Sequence, residues 1–292
     1  MKKEYLIVSL AIVLAALIVV FAPRVIPGPE PEREKLTLVF HPGESSELGV
    51  LKERFGTVID ALCEELDMEC ELVLGTSYAA TMEALRNGTS DISRIGASMY
   101  VLSRDEINVR PVVWDIIGGE DHYHAVLMGK PGIWEEPFAL EQLRGKSVAF
   151  VDVSSTSGYI APMTAMLEEG LTLDDLGSYS FTTSHYVGIE ALLNGQVDVA
   201  CTGNTLVDEV VASGEGVEGK NFVLLWESPP LVMDAWVIGP KVDPGLADRI
   251  AEALLNLPPE AFEGSFIDGF SPVDLAAYEF NEKMLRAIGE IE

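Results

Sequence analysis

Basic residues are scarce in this sequence. It contains 19 Lys and Arg against 47 Asp and Glu, which gives a formal net charge of −28 over 292 residues. No run rich in Lys or Arg occurs anywhere in it. Nucleic-acid binding depends on clustered positive charge, so that class of function is excluded. The acidic surface also repels small anions at long range, so an anion site must use short-range donors inside a cleft.

Cysteine and histidine are also few. His122 and His124 alternate on a predicted strand with no partner ligand nearby, so neither a metal nor another cofactor is expected. Cys63 and Cys70 are the only cysteines close in sequence, since the third is Cys201. They would form a disulfide in an exported protein, or Cys63 would belong to the apolar face of a helix; both alternatives remain open.

One long hydrophobic run lies near the N-terminus. Residues 5–22 carry no charge and follow two lysines, which predicts a transmembrane anchor or a signal segment over residues 1–23. Pro23 comes directly after the only suitable cleavage site, which favours the anchor. The lysines would stay in the cytoplasm, so the rest of the chain is expected outside it. Residues 24–35, with three prolines among charged residues, predict a stiff linker.

Hydrophobic periodicity predicts two successive units in which strands alternate with helices. The first has strands at 35–40 and 71–75, helices at 48–66 and 78–87, and a short strand from 91. The second has strands at 147–153, 178–182 and 197–201, and helices at 160–169 and 187–194. Longer β segments at 123–128 and 231–238 bracket the second unit, and helices at 245–257 and 275–288 follow.

This order predicts an α/β protein with two lobes and two chain crossovers between them. Residues 36–125 and 236–292 would form lobe 1, and residues 126–235 would form lobe 2. Such an arrangement places a ligand between the lobes, where loops from both can contact it.

A hydroxyl-rich turn, residues 154–158 (Ser-Ser-Thr-Ser-Gly), lies between a predicted strand and a predicted helix. Backbone N–H groups at a helix start are unpaired and attract anions. Together with the side-chain hydroxyls they would bind a tetrahedral oxyanion without a Lys or Arg. The alternative is that one of these residues only caps the helix.

Several motifs in their order resemble the PhnD-like, type II periplasmic substrate-binding proteins of phosphonate, phosphite and phosphate ABC importers. The resemblance extends over residues 36–280. The motifs are Tyr78-to-Gly88 followed by Asp91-Ile92, Tyr123-His-Ala-Val-Leu, Ser155-Thr-Ser-Gly158, Ser184-His185, Asn194-to-Ala200, and Trp226-Glu-Ser-Pro229 with Asp234. The resemblance implies the two-lobe periplasmic-binding-protein fold.

The resemblance also implies the function and the site. The protein would be an extracytoplasmic binding component, not an enzyme, that delivers a phosphorus oxyanion to a permease with its ATPase subunits. Asp234 would accept a hydrogen bond from a protonated ligand oxygen or from an ammonium group. The donors to the ligand would be Ser155, Thr156, Ser157, Tyr78, Tyr123 and His185. Each of these residues has a structural alternative as a packing or capping side chain.

Two features depart from the family pattern. Residues 201–207 lack an acid that would bind an amino group, since the next acid is Asp208, and this casts doubt on aminoalkylphosphonates as ligands. Arg94 stands where an uncharged residue is usual. It would either contact the anion or pair with one of the many acids.

The sequence also leaves two alternative functions open. An anchored sensor could present the bound oxyanion to a membrane receptor kinase with the same fold. A hydrolase could use Ser155 or Ser157 with His185, although no Gly-x-Ser-x-Gly motif is present.

Overall fold

The computed structural model of the protein describes residues 35–291. The predicted membrane segment, residues 1–23, and the predicted linker up to residue 34 lie outside this range. Within residues 35–291, none of the helices combines the length and the apolar character that crossing a bilayer requires.

The described chain alternates strands and helices as follows. The strands are β1 (Lys35–Phe40), β2 (Glu69–Leu74), β3 (Ile92–Ile95), β4 (Arg110–Ile116), β5 (His122–Tyr123), β6 (Ala125–Gly129), β7 (Ser147–Phe150), β8 (Ser178–Phe181), β9 (Val199–Gly203), β10 (Val223–Glu227), β11 (Leu231–Val232), β12 (Ala235–Ile238) and β13 (Gly269–Pro272). The helices are α1 (Leu48–Leu66), α2 (Tyr78–Asn87), α3 (Ala97–Ile107), α4 (Ala161–Glu168), α5 (His185–Leu193), α6 (Asn204–Ala212), α7 (Pro244–Asn256) and α8 (Glu279–Ala287).

Two separate sheets organise these elements. The first has six strands in the order β13-β4-β12-β3-β1-β2, in which β1 pairs parallel to β2 and β3 while β12 runs antiparallel between β3 and β4. The second has five strands in the order β10-β6-β9-β7-β8, with β7 parallel to both neighbours. Buried apolar strands such as β6, which helices cover on both faces, explain the continuous hydrophobic runs in the sequence.

The chain passes between the two sheets twice, through a small antiparallel ribbon. In it Leu231 of β11 pairs with Tyr123 of β5. The sequence predicted single strands at 123–128 and 231–238, but each is broken, at His124 and at residues 233–234. The His124 N–H leaves the ladder because it donates to the Asn204 Oδ1 at 2.8 Å. At the second break the Asp234 carbonyl still accepts from the Asp115 N–H of β4 at 3.1 Å, which holds Asp234 beside the first sheet.

Several elements were missed by the sequence analysis: α3, β4, α6, β10 and β13. Helix α3 is buried at residues 97–101, 103 and 107, so it lacks the polar face that marks an amphipathic helix. Strand β4 contains Pro111, which weakens a strand pattern. In contrast, α1 has the predicted bounds and buries one apolar stripe that includes Phe55 and Leu62 against the first sheet.

Helix α8 contacts both α3, which follows β3 of the first sheet, and α4, which follows β7 of the second sheet. The Asn281 Nδ2 donates to the Ser98 Oγ of α3 at 3.5 Å, and the Thr164 Oγ1 of α4 donates to the Met284 carbonyl at 3.4 Å. Its inner face is apolar, with Leu285 fully buried. The C-terminal helix therefore stabilises the contact between the two halves.

Cys63 and Cys70 form a disulfide that joins the last turn of α1 to β2, with a Cα–Cα distance of 6.1 Å. Cys63 is also buried on the apolar face of α1, so both alternatives left open by the sequence hold at once. Cys201 is a buried free thiol on β9.

The disulfide leads to a first prediction. Replacing both Cys63 and Cys70 by Ser should lower the free energy of unfolding by about 2.5 kcal/mol, the loop entropy of a closure this short. Urea unfolding measures the change. Reductant should destabilise the wild type by a similar amount and leave the double variant unaffected; a reductant effect of the same size in both proteins would contradict the prediction.

Candidate ligand-binding site

A small buried cavity lies where loops from the two sheets meet. Its volume is about 40 Å³, a few times the ~10–15 Å³ that one water needs. All seven residues predicted to bind the ligand line it: Tyr78, Tyr123, Ser155, Thr156, Ser157, His185 and Asp234. His41, Glu44 and Arg94 line it as well. The structure therefore brings together residues that are separated by up to about three quarters of the described chain, from His41 to Asp234.

The hydroxyl-rich turn is fixed by its own side chains. The backbone N–H and the hydroxyl of Ser154 donate to the Asp152 Oδ1 at 2.9 and 2.7 Å. The Ser155 Oγ accepts from the Gly158 N–H at 3.2 Å, and the chain then makes one π-type turn over Thr156–Ile160 that leads into α4. Ser155 therefore caps this turn, and its role as a donor to the ligand stays a prediction. The N–H groups of Thr156 and Ser157 still lie in a first helical turn, where no intrahelical carbonyl can accept from them.

The hydroxyls of Ser155, Thr156 and Ser157 are each contacted from across the cavity. Tyr78, at the start of α2, interacts with the Ser155 side chain, and Tyr123 of β5 interacts with the Ser157 side chain. The Ser98 N–H, at the start of α3, donates to the Thr156 Oγ1 at 3.0 Å. A hydroxyl has one donor and two acceptor positions, so each retains capacity for a ligand. Burial raises the pKa of both tyrosines, which keeps them protonated as donors.

His185 is the first residue of α5 and is held at two points. Its backbone N–H donates to the Gly43 carbonyl at 3.0 Å, and its Nδ1 lies 3.1 Å from the Thr202 Oγ1. Burial is the main cause that lowers the pKa of His185 to about 4. The ring is therefore neutral at pH 7 and offers hydrogen bonds, not charge, to the cavity.

Arg94 is the cation of the cavity, and three carboxylates surround it. The Arg94 Nε lies 2.5 Å from the Asp115 Oδ2, and its Nη1 lies 2.8 Å from the Asp234 Oδ2 and 3.3 Å from the Glu44 Oε1. The guanidinium also stacks over the Phe55 ring, 5.1 Å from its centre. Of the two alternatives for Arg94, pairing with acids is the one that the structure contains.

The pKa values of the three carboxyl groups are shifted in different directions because their surroundings differ. Burial raises the pKa of Asp115 to about 6 and also raises the pKa of Asp234, against the opposing charge of Arg94. Burial also raises the pKa of Glu44, but Arg94 and Arg54 together outweigh it and hold this pKa at about 2. At neutral pH the positive charge of Arg94 is thus fully balanced.

A second ion cluster, around Arg54, lies next to the cavity. The Arg54 Nη2 of α1 lies 2.9 Å from the Glu209 Oε2 of α6 and 3.4 Å from the Glu44 Oε2. The Arg54 Nη1 donates to the Tyr186 hydroxyl of α5 at 3.0 Å, and the guanidinium lies 3.8 Å from the centre of the Phe266 ring. Glu44 thereby links Arg94 inside the cavity to Arg54 at its edge.

His41 and Glu44 are site residues that the sequence analysis missed. Both lie in the irregular segment between β1 and α1, where no periodic pattern marks a position as buried or exposed. The only signal was a histidine directly after an apolar strand, and that signal is too common to use. Among residues 35–291, no group of His, Cys, Asp and Glu side chains is arranged to hold a metal ion.

Comparison with known proteins identifies the fold and the family. Residues 38–278, more than four fifths of the chain, match the family described as ABC transporter, phosphonate, periplasmic substrate-binding protein. The chain belongs to this family. The substrate-binding protein is 23% identical over 227 residues to the phosphate-import protein PhnD of Mycolicibacterium smegmatis, covering 74% of this chain and 70% of that protein.

Solved structures with a similar fold include two bacterial binding proteins. PhnD1 of Prochlorococcus marinus in complex with methylphosphonate superposes with a TM-score of 0.77 at 18% identity, covering 88% of this chain and 99% of that one. A binding-protein component of an ABC phosphonate transporter from Pseudomonas aeruginosa has a TM-score of 0.77 at 16% identity, covering 88% of both chains. The predicted two-lobe type II fold and the family resemblance are confirmed.

The buried ion cluster of the substrate-binding protein leads to a second prediction. Arg94→Met should lower the free energy of unfolding by about 3–5 kcal/mol at pH 7, because buried carboxylates lose their cation. Urea unfolding measures this, and the loss should shrink at pH 5, where Asp115 can protonate. The matched control is Arg86→Met, which removes an exposed pair with Glu106 and should cost less than about 1 kcal/mol. Equal losses in the two variants would contradict the prediction.

The neutral state of His185 leads to a third prediction. Its folded pKa of about 4 lies below its ordinary value of 6.5, so between these pH values only the unfolded chain binds the proton. The wild type should therefore lose stability relative to His185→Gln as pH falls from 6.5 to 4, by up to about 1.4 kcal/mol per pH unit. The pKa of Asp115 is shifted upwards, so Asp115 changes stability with pH in the opposite direction. Asp115 is present in both proteins, so comparing the wild type with His185→Gln cancels its contribution. Parallel stability profiles from urea unfolding would refute this account.

Proposed function

We propose that the protein captures a small phosphorus oxyanion of phosphonate, phosphite or phosphate type and delivers it to the permease of an ABC importer with its ATPase subunits. The observation that carries the proposal is the convergence of seven predicted donor and acceptor residues on one buried cavity. Its chemistry is reversible capture: water leaves the ligand as the lobes close, and fixed hydrogen bonds replace that hydration.

The charge balance of the cavity favours an oxyanion that still carries a proton. Arg94 is matched by carboxylates, and the histidine His185 is neutral, so the walls supply neutral O–H and N–H donors. Asp234 can accept a hydrogen bond only from a ligand that offers a donor. A singly charged oxyanion with one P–OH group fits both conditions.

The shape of the cavity favours a small substituent on phosphorus. Thr205 and Leu206 form the part of the wall where an amino group would need an acid, and Met99 and Met233 add apolar surface. Hydrogen, hydroxyl or methyl on phosphorus would fit such a wall better than an aminoalkyl chain. This supports the doubt about aminoalkylphosphonates that the sequence raised.

The arrangement of the serines supports binding over hydrolysis. An activated serine donates to a histidine, but the Ser155 side chain interacts with Tyr78 and accepts from the Gly158 N–H. The His185 Nδ1 lies next to Thr202. We therefore infer that the protein is not an enzyme.

We also propose how the chain is organised around this function. Residues 36–125 with 236–292 would form one lobe and residues 126–235 the other, a division supported by the membership of the two sheets. The family is extracytoplasmic, and we propose that residues 5–22 attach the protein to the outer face of the membrane.

The proposal is tested with a panel of anions. Phosphate, phosphite, methylphosphonate, 2-aminoethylphosphonate and sulfate are compared by thermal shift, because a bound ligand raises the melting temperature by mass action. At least one of the first three should stabilise the protein more than the last two. If none of the phosphorus oxyanions binds, the proposed function is wrong.

The site assignment is tested with the best ligand of that panel. Ser155→Ala and Tyr78→Phe should each weaken binding by about 1–3 kcal/mol, because each removes one hydrogen bond to a charged ligand. Calorimetry gives the affinities. The matched control Ser178→Ala changes an exposed serine on β8 and should bind as the wild type does. Wild-type affinity in both site variants would reject the assignment.

A further inference from the structure

His41 is a buried histidine to which neither the sequence analysis nor the family resemblance gives a role. It follows β1 directly, is 5% exposed, and lines the cavity. Its ring stacks on the ring of Tyr78, with 4.3 Å between the centroids. Gly43 makes this stack possible, because a Cβ there would lie 2.3 Å from the Tyr78 hydroxyl and 2.7 Å from the imidazole.

The backbone fixes which nitrogen of His41 carries the proton. The Gly43 N–H donates to the His41 Nδ1 at 3.1 Å, so this nitrogen is the acceptor and the proton is on Nε2. Burial, with a contribution from Arg94, lowers the pKa of His41 to about 4, so the ring is neutral at pH 7. The titratable and charged groups around it are Tyr78, Glu44, Arg94, Asp152, His185 and Asp234.

The Nε2–H of His41 has no hydrogen-bond partner among the described residues. The nearest carboxylate oxygen, the Asp234 Oδ2, is 4.0 Å away, beyond hydrogen-bond range. Two other buried polar atoms also lack partners, the Arg54 Nε and the Ser271 Oγ, but neither residue lines the cavity. A buried donor without a partner is costly, and a ligand that accepts from it removes that cost.

Asp234 presents the complementary group beside this donor. Its Oδ2 is engaged by Arg94 at 2.8 Å, and its side chain keeps 15% exposure. The Oδ1 points towards Gly96, where a Cβ would lie 3.4 Å from it and 3.5 Å from the Thr156 Oγ1. A free acceptor and a free donor thus face the same small cavity, too far apart to bond to each other.

We propose that His41 is a ligand-binding residue that determines specificity together with Asp234: the His41 Nε2–H donates to one oxygen of the ligand while Asp234 accepts a hydrogen bond from a neighbouring P–OH. The pair would recognise a protonated oxyanion, O=P–O–H, and reject tetrahedral dianions. This inference rests on the proposed function and adds a ligand-binding residue, His41, to it.

The test uses variants that separate the donor from the ring. His41→Phe keeps an aromatic ring against Tyr78 but has no N–H, whereas His41→Gln keeps an N–H donor. Titration calorimetry of the full chain with methylphosphonate and with phosphite should give affinities about ten- to hundred-fold lower for His41→Phe. His41→Gln should recover part of that loss. The matched control is His122→Ala, a partly buried histidine on β5 that does not line the cavity, and this variant should bind as the wild type does.

A second readout shows whether a weaker affinity comes from damage to the fold. His41→Phe removes an unpaired buried donor but also the Nδ1 that accepts from the Gly43 N–H, so its ligand-free melting temperature should fall, and the shift on adding ligand should become smaller. His41→Gln keeps both an acceptor and an N–H donor, so it should recover part of both losses. Wild-type affinity in His41→Phe would overturn the inference, and so would a weaker affinity that is not recovered in His41→Gln.

Sulfate tests the hydrogen bond that Asp234 accepts from the ligand. It is a tetrahedral dianion without an O–H at pH 7, so the wild type should bind it at least tenfold more weakly than methylphosphonate, and Asp234→Asn should narrow this ratio. If the ratio of methylphosphonate affinity to sulfate affinity is the same in the wild type and in Asp234→Asn, the role of the His41–Asp234 pair is overturned. If the wild type binds none of the oxyanions, the proposed function fails; if it binds them independently of His41, only the inference fails.

Discussion

The burial of one guanidinium among three carboxylates is the constraint on which the site depends. Arg94 lies on the central strand β3, Asp115 on β4 and Asp234 at the break before β12, so the ion cluster ties three neighbouring strands of the first sheet together. The Trp236 Nε1 donates to the second oxygen of Asp115 at 2.9 Å, which completes the buried network. Removing charges from water is costly, and only such complete pairing offsets it. The geometry of Asp234 in the cavity is therefore set by Arg94, which Asp115 holds from behind the cavity wall.

Under the proposed function, this arrangement explains how an acidic protein would bind an anion. The positive charge of Arg94 is used internally, so affinity would have to come from oriented hydroxyl, imidazole and backbone donors that require no reorganisation when the ligand enters. The same carboxylates that balance Arg94 would repel a fully ionised ligand. The proposal thus assigns selectivity and fold stability to the same residues.

The sequence predicted much of the fold and most of the site for physical reasons. Helix α1 and the strand before the hydroxyl-rich turn have strong periodic patterns, and residues 155–157 follow a known motif order. Helix α3 was missed because it is buried on nearly every side. His41 was missed because its importance depends on a backbone N–H two residues later and on a cavity formed by distant segments. The breaks at His124 and residues 233–234 depend on tertiary hydrogen bonds that local patterns do not encode.

The double passage of the chain through the β5–β11 ribbon has a consequence for biosynthesis. Strand β3 ends at Ile95, but its antiparallel partner β12 begins only at Ala235, after the entire five-stranded sheet. As the polypeptide leaves the ribosome or the export channel, strands β1 to β3 cannot complete their sheet until β12 has emerged. Arg94 cannot form its ion pair with Asp234 before then. The first sheet begins to be synthesised before the second but is completed after it. Its unpaired strand edges therefore need protection during export.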